Sequence, residues 1–276
     1  MFAMPSASQV RRDENAPEAC KPGANGHTDH QACFEAAEPK SGAWLLAAMN
    51  LGSQAFWNDD FETAAYYYDL STPDGMNTFS DIILHANRSK VFLELGRTED
   101  ALRDANMVWQ LAQENKADPM GTPLSDEAKF YALMLIIETF YVTSAPELEL
   151  SLKTFMDITP SNEMDMMNLA AVLAEVERYD DAYKYSSELL KMAPENATAL
   201  NNHCHLLTSM QRAKEALPLC EKAITYAPGI AAFHHSHAMA LGALGKCTEA
   251  NISLQKAHSL EPSAALYKES VECHQN

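Results

Sequence analysis

Glycine is scarce in this chain, with 10 among 276 residues. Gly-rich turns and runs of β-branched residues, the marks of a sheet-rich protein, are lacking; Ala, Leu, Met and Glu recur in long stretches instead and favour helix. Lys and Arg are also few, 20 against 38 Asp and Glu, for a formal net charge of −18. Phosphate binding needs clustered cations, so neither nucleic acid nor an anionic membrane surface is an expected partner. The acidity either keeps the molecule soluble or suits a basic partner. No stretch reaches about eighteen consecutive apolar residues, so no membrane insertion is expected. The opening MFAMPSAS, followed by Arg11 and Arg12, lacks the charged start and apolar run of a signal peptide. A phosphate loop, a nucleophile elbow and a paired metal motif are absent too. The chain is therefore read as non-enzymatic, with no cofactor and no metal site.

What the sequence does have is a period. Pro160, Pro194, Pro228 and Pro262 follow one another at intervals of 34 residues. With proline placed at position 32 of each repeat, the stretch 197–230 carries Leu200 at position 4, His203 at 7, Cys204 at 8, Leu207 at 11, Ala216 at 20, Cys220 at 24 and Ala223 at 27. The stretch 231–264 carries His234, His237, Ala238, Leu241, Ala250, Leu254 and Ala257 at those places, and 163–196 carries Met166, Leu169, Ala170, Leu173, Ala182, Ser186 and Leu189. Positions 4, 7 and 11 share one face of a first helix, and 20, 24 and 27 share one face of a second. Small residues at 8 and 20 let the two backbones approach. Proline near 32 ends one pair and suits the start of the next. More worn copies lie at 45–78, 82–115 and 129–162, with Gly52 and Ser89 at position 8 and Ala64 and Ala101 at position 20. One such pair cannot bury both its faces, so pairs must stack.

These marks resemble the tetratricopeptide repeat (TPR) family over about residues 42–264. The resemblance implies an all-α fold: a right-handed superhelical solenoid of stacked antiparallel helix pairs, about six repeats in a domain spanning 41–276, ending in a capping helix at 265–276 with Leu266, Tyr267 and Val271 inward. It also implies that positions 2, 5, 6, 9, 12 and 13 line a concave groove that binds an extended peptide or a partner protein. Position 6 holds Asn50, Asn87, Asn168 and Asn202, whose amides can pair with both N–H and C=O of a peptide backbone. Asn201, His205, His235, Phe56, Trp57 and Lys90 join them as groove candidates, the two aromatics as apolar anchors. Met134 breaks the row. The clamp that some relatives use for a chaperone's acidic C-terminal tail needs cations that are missing here: Met49, Ser53 and Phe130 occupy its places and only Asn87 matches. That tail is not an expected ligand.

Histidines cluster as His203, His205, His234, His235 and His237. Three of them fall on core or inter-helix positions, which favours packed, hydrogen-bonded rings over metal ligands. The six cysteines fall into neighbouring pairs, Cys20 with Cys33, Cys204 with Cys220, and Cys247 with Cys273, and are candidates for disulfides. Paired, they would indicate a periplasmic or secreted protein whose signal was removed; unpaired, a cytoplasmic one. Residues 1–40 read as a flexible tail with a short helix near 30–38. Residues 116–128, with two prolines and a glycine, are a long connection, either a tolerated insertion or a contact element. Two alternatives to the groove stay open: a structural assembly factor using its convex face or edges, and a redox- or metal-responsive adaptor.

Overall fold

The computed structural model describes residues 17–23, 27–71, 82–117, 121–158, 160, 162–268 and 273. Among these residues there are thirteen α-helices and no strand, only an isolated bridge between Lys116 and Pro123. The chain divides into two compact units, one up to Phe155 and one from Met156.

The first unit holds α1 (His30–Ala36), α2 (Gly42–Trp57), α3 (Phe61–Ser71), α4 (Ile82–Glu94), α5 (Thr98–Gln113), α6 (Asp126–Val142) and most of α7 (Leu148–Asp157). The second holds α8 (Glu163–Glu175), α9 (Tyr179–Met192), α10 (Ala197–Ser209), α11 (Ala213–Tyr226), α12 (Ala231–Ala243) and α13 (Cys247–Leu260), then a 3-10 turn at Ala265–Lys268. In the second unit α8 pairs with α9, α10 with α11 and α12 with α13, and the first helices of successive pairs also touch.

The turn inside each pair has one construction. At position 15 the backbone turns left-handed, at Asp59, Gly96, Glu177, Gln211 and Gly245, and one residue later at Ser144 in the divergent third repeat. The next residue's N–H then closes back on the first helix: Arg97 to the Phe92 carbonyl at 2.8 Å, Arg178 to Leu173 at 2.7 Å, Arg212 to Leu207 at 2.8 Å and Lys246 to Leu241 at 3.0 Å. This closure satisfies a carbonyl that the helix end would otherwise leave open. Starts are fixed by side-chain caps: Ser41, Ser125, Asn162 and Asn196 each accept from a backbone N–H three residues on, at 3.0–3.3 Å.

Close approach explains the small residues. Ala64, Ala101, Ala182 and Ala216 are wholly buried at position 20. Ser89 of α4 donates to the backbone carbonyl of Ala101 on α5 at 2.9 Å. A methyl on Gly52 would lie 2.7 Å from the ring of buried Tyr68.

Three disulfides cross-link neighbours in sequence: Cys20–Cys33, Cys204–Cys220 and Cys247–Cys273, with Cα separations of 4.5, 5.5 and 5.6 Å. Cys204 and Cys220 are fully buried between α10 and α11, against Leu207, Ala216 and Ala240. The short helix expected near 30–38 is α1: it packs on α2, buries Cys33 and stacks Phe34 on Trp44 at 4.8 Å. The expected cap is the short 3-10 turn, in which Tyr267 is buried against Ala231 and Ala257 while Leu266 is exposed; Val271 lies outside the described residues. The long connection after α5 is anchored, because Ala117 accepts from Ile82 N–H at the start of α4.

Candidate functional site

An inner helix of a stacked pair buries one side against its partner and its edges against its neighbours, which leaves one strip uncovered. In the second unit burial picks out that strip. It runs Met164, Asn168, Ala171, Glu175 on α8; Thr198, Asn202, His205, Ser209 on α10; and Ala232, His235, Met239, Ala243 on α12. Spacings of three and four residues put each set on one helix face. The sets stand one repeat apart on helices packed in order, so they form a continuous surface within this unit.

That surface carries a single charged residue, Glu175. The outer helices expose many: Asp180, Lys184, Glu188 and Lys191 on α9, Lys214, Glu215, Glu221 and Lys222 on α11, and Glu249 and Lys256 on α13. Solvated helix faces ordinarily carry mixed charge, so charge is withheld from one side of this unit.

The polar groups on and just beneath the strip are amides and imidazoles. Asn168 Nδ2 is buried with no hydrogen-bond partner, and so is Oδ1 of Asn201, a residue only 8% exposed. Asn201 Nδ2 donates to Oδ1 of exposed Asn202 at 3.4 Å. A buried amide group without a partner costs about 1–3 kcal/mol. His205 is exposed on its open side, yet protein crowds the rest of its ring, and that burial pulls its pKa below the ordinary histidine value. His235 is pulled down by burial and then by the neighbouring His205. Its ring lies 5.4 Å from that of Tyr267.

The other three histidines of the cluster face elsewhere. His203 Nδ1 pairs with Ser186 Oγ at 2.8 Å, His237 Nδ1 with Ser253 Oγ at 2.8 Å, and His234 Nε2 donates to the Pro228 carbonyl at 2.9 Å. These bonds fasten inner helices to outer helices and to the preceding turn.

In the first unit the candidates fare differently, and several need correction. All eight residues from Ile82 to Ser89 are buried. Asn87, 2% exposed, accepts from the Tyr131 hydroxyl at 3.1 Å and also bonds the Tyr68 hydroxyl. Tyr68 touches Ser53 Oγ at 3.2 Å, and burial pushes its pKa up to about 12. Asn87 is thus a core acceptor rather than a ligand contact. Lys90 is held by Glu94 at 2.8 Å and by Glu138; burial works against its charge, but these hydrogen bonds outweigh it and keep its pKa above the usual lysine value. Asn50 donates to its own helix at the Leu46 carbonyl, 2.8 Å. Phe56 is buried edge-on to Trp57 and Phe61, and Trp57 alone of the aromatic pair is exposed, at 57%.

One cluster went unforeseen. Buried Asp104 on α5 receives Arg88 Nε at 2.6 Å and Nη2 at 2.8 Å, and lies 3.0 Å from His85 Nδ1. Its carboxyl is held below the usual range: burial opposes this, and the bonds from Arg88 and His85 prevail. The signal in the sequence is a charge at position 7, where Leu51 and Leu169 stand elsewhere.

Among the described residues no group of three or more His, Cys, Asp or Glu is arranged to hold a metal ion, and no helix is long and apolar enough to cross a membrane. No protein-family model matches the sequence, and no curated protein does. Among solved structures, a tetratricopeptide repeat protein from Parabacteroides merdae is similar over 87% of each chain, at 18% identity and a TM-score of 0.62. Partial likenesses include YrrB, described as a TPR protein with an unusual peptide-binding site (16% identity, 68% of this chain and 91% of that one, TM-score 0.40), and MamA from Desulfovibrio magneticus (21%, 50% and 79%, 0.39). With its paired helices, its repeated turn and a likeness that runs over most of both chains, this protein has the fold of a tetratricopeptide-repeat array.

Proposed function

We propose that the open face of α8, α10 and α12 holds an extended stretch of a partner polypeptide, and that the chain is a non-enzymatic interaction scaffold. The observation that carries this is the uneven placement of charge: an acidic protein exposes its ions on the outer helices and almost none on the inner strip. An extended peptide offers main-chain N–H and C=O groups; exposed Asn202 presents an amide able to meet both, and half-buried Asn168 stands one repeat away on the same strip. Ala171, Ser209 and Ala232 leave room for side chains between them.

The test is a displayed library of about ten-residue peptides, selected on the intact chain and titrated against it and against N168A/N202A. Loss of at least about tenfold in affinity in the double variant supports the reading. Equal binding removes this face from the account. Light scattering on the same preparations addresses a second reading, assembly through the outer edge, which has Met192 and Tyr226 in its favour: both are exposed and stand one repeat apart. Stable self-association abolished by M192S/Y226S would favour that reading. The three disulfides support placement in an oxidising compartment, periplasmic or extracellular.

A further inference from the structure

We propose that the polypeptide held on this face is uncharged where it crosses His205 and His235, and that it is released when the surroundings turn acidic. This rests on the peptide-holding reading above and adds a ligand class and a control to it.

The two rings sit on packed neighbours, α10 and α12, each on the open strip. What faces them is nearly all neutral. On α8 the residue at the place equivalent to His205 is Ala171, with Glu175 a turn further on. From the 3-10 turn the Tyr267 ring stands beside His235. The ions of the outer helices act on the rear histidines instead: Arg212 and Glu215 on His203, and Glu221, Lys246 and Glu249 on His237. The pKa of His205 is lowered by burial alone, and that of His235 by burial and then by His205. Among the described residues no carboxylate on a packed element offsets a charge on either ring.

At neutral pH both rings are therefore uncharged, each with one donor and one acceptor for a peptide backbone. A neutral chain laid over them removes more water and supplies no counter-charge. The cation becomes costlier in the complex than in the free protein, so binding expels protons from the pair. By linkage, acid then expels the peptide, and repulsion between two adjacent imidazolium groups adds to the effect.

The probe is a displayed peptide library lacking Asp, Glu, Lys, Arg and His, with blocked ends, so that the ligand itself does not titrate. Selected peptides are titrated at pH 7.5, 6.5 and 5.5 against the intact chain, H205Q/H235Q and a control, H30Q, with circular dichroism recorded at each pH to confirm that helix persists. The expected result is a loss of about tenfold or more between pH 7.5 and 5.5 in the intact chain and in the control. In the double variant, whatever its affinity at pH 7.5, the loss shrinks below about twofold. Affinity that stays flat or rises with acid in the intact chain, or an equal loss in the double variant, overturns the proposal. Failure to select from this library when the unrestricted library yields binders also overturns the proposal; failure of both libraries, or selected peptides that bind N168A/N202A undiminished, would sink the peptide-holding reading instead.

Discussion

The hydroxyl of Tyr131, on α6, donates to the side-chain oxygen of Asn87, on α4, across 3.1 Å and 44 residues of chain. The bond ties two inner helices of the first unit together and turns an amide at a groove position into part of the core. Burial also pushes the Tyr131 pKa upward, so the phenol stays protonated as a donor. Tyr131→Phe is expected to lower unfolding free energy by about 1–2 kcal/mol, because a buried acceptor loses a partner. Urea unfolding followed by circular dichroism measures this. The same variant should leave peptide capture by the second unit unchanged.

Gly52→Ala is expected to destabilise the first unit by about 1–3 kcal/mol. The added methyl meets the Tyr68 ring, which is wholly buried and bonded to Ser53 and Asn87, so it has little room to retreat. A thermal melt unchanged from the parent would mean that the α2–α3 contact is looser than it stands here.

How much of this was legible in the sequence follows from the same two helices. The interval between prolines located the helix pairs, and small residues located the contacts, because both are demands of local geometry that each repeat meets alone. Whether a groove position stays open depends on what the next repeat brings to it. The third repeat has Met134 where its neighbours have Asn, and nothing in its pattern announced that Tyr131 would reach Asn87 or that Arg88 and Asp104 would form a buried pair. The strip on the second unit was more readable, since three repeats in strict register place equivalent residues side by side. Even there the decisive feature, absent charge on one side, emerges only once burial separates inner from outer residues.

Gln211→Gly is expected to stabilise the second unit by up to about 1 kcal/mol. Gln211 holds a left-handed backbone, φ 60°, in a turn where the equivalent residue in the next repeat is Gly245. Its side chain is exposed, so nothing packed is lost. A denaturation midpoint that fails to rise would show that this turn is not strained.

Acid should weaken the fold before it reaches the carboxylates. His30, His203, His205, His235 and His237 all have lowered pKa values, with burial the largest cause in each. The unfolded chain takes up protons at about pH 6.5, and the folded chain only below that. Between those limits the unfolded state binds more protons, so stability is full above pH 6.5 and declines as pH falls through the window. Asp104 and Asp100, whose pKa values are also lowered, extend the loss to lower pH. Urea midpoints at pH 7.5, 6.5 and 5.5 should fall in that order; a midpoint constant over this range would contradict the burial of the imidazoles.

A linear stack of helix pairs comes apart from its tips, where the outermost element has a neighbour on one side only. Here Cys20–Cys33 joins the 3-10 turn at Glu18–Cys20 to α1, both ahead of α2, whereas Cys247–Cys273 ties Cys273 back to the start of α13. The second bridge therefore latches the chain beyond α13 onto the last pair, while the first leaves α1 and its turn able to peel from α2 together, as one piece. Reduction would free Cys273 from α13, so a protease should cut beyond α13 faster in the reduced chain than in the oxidised one.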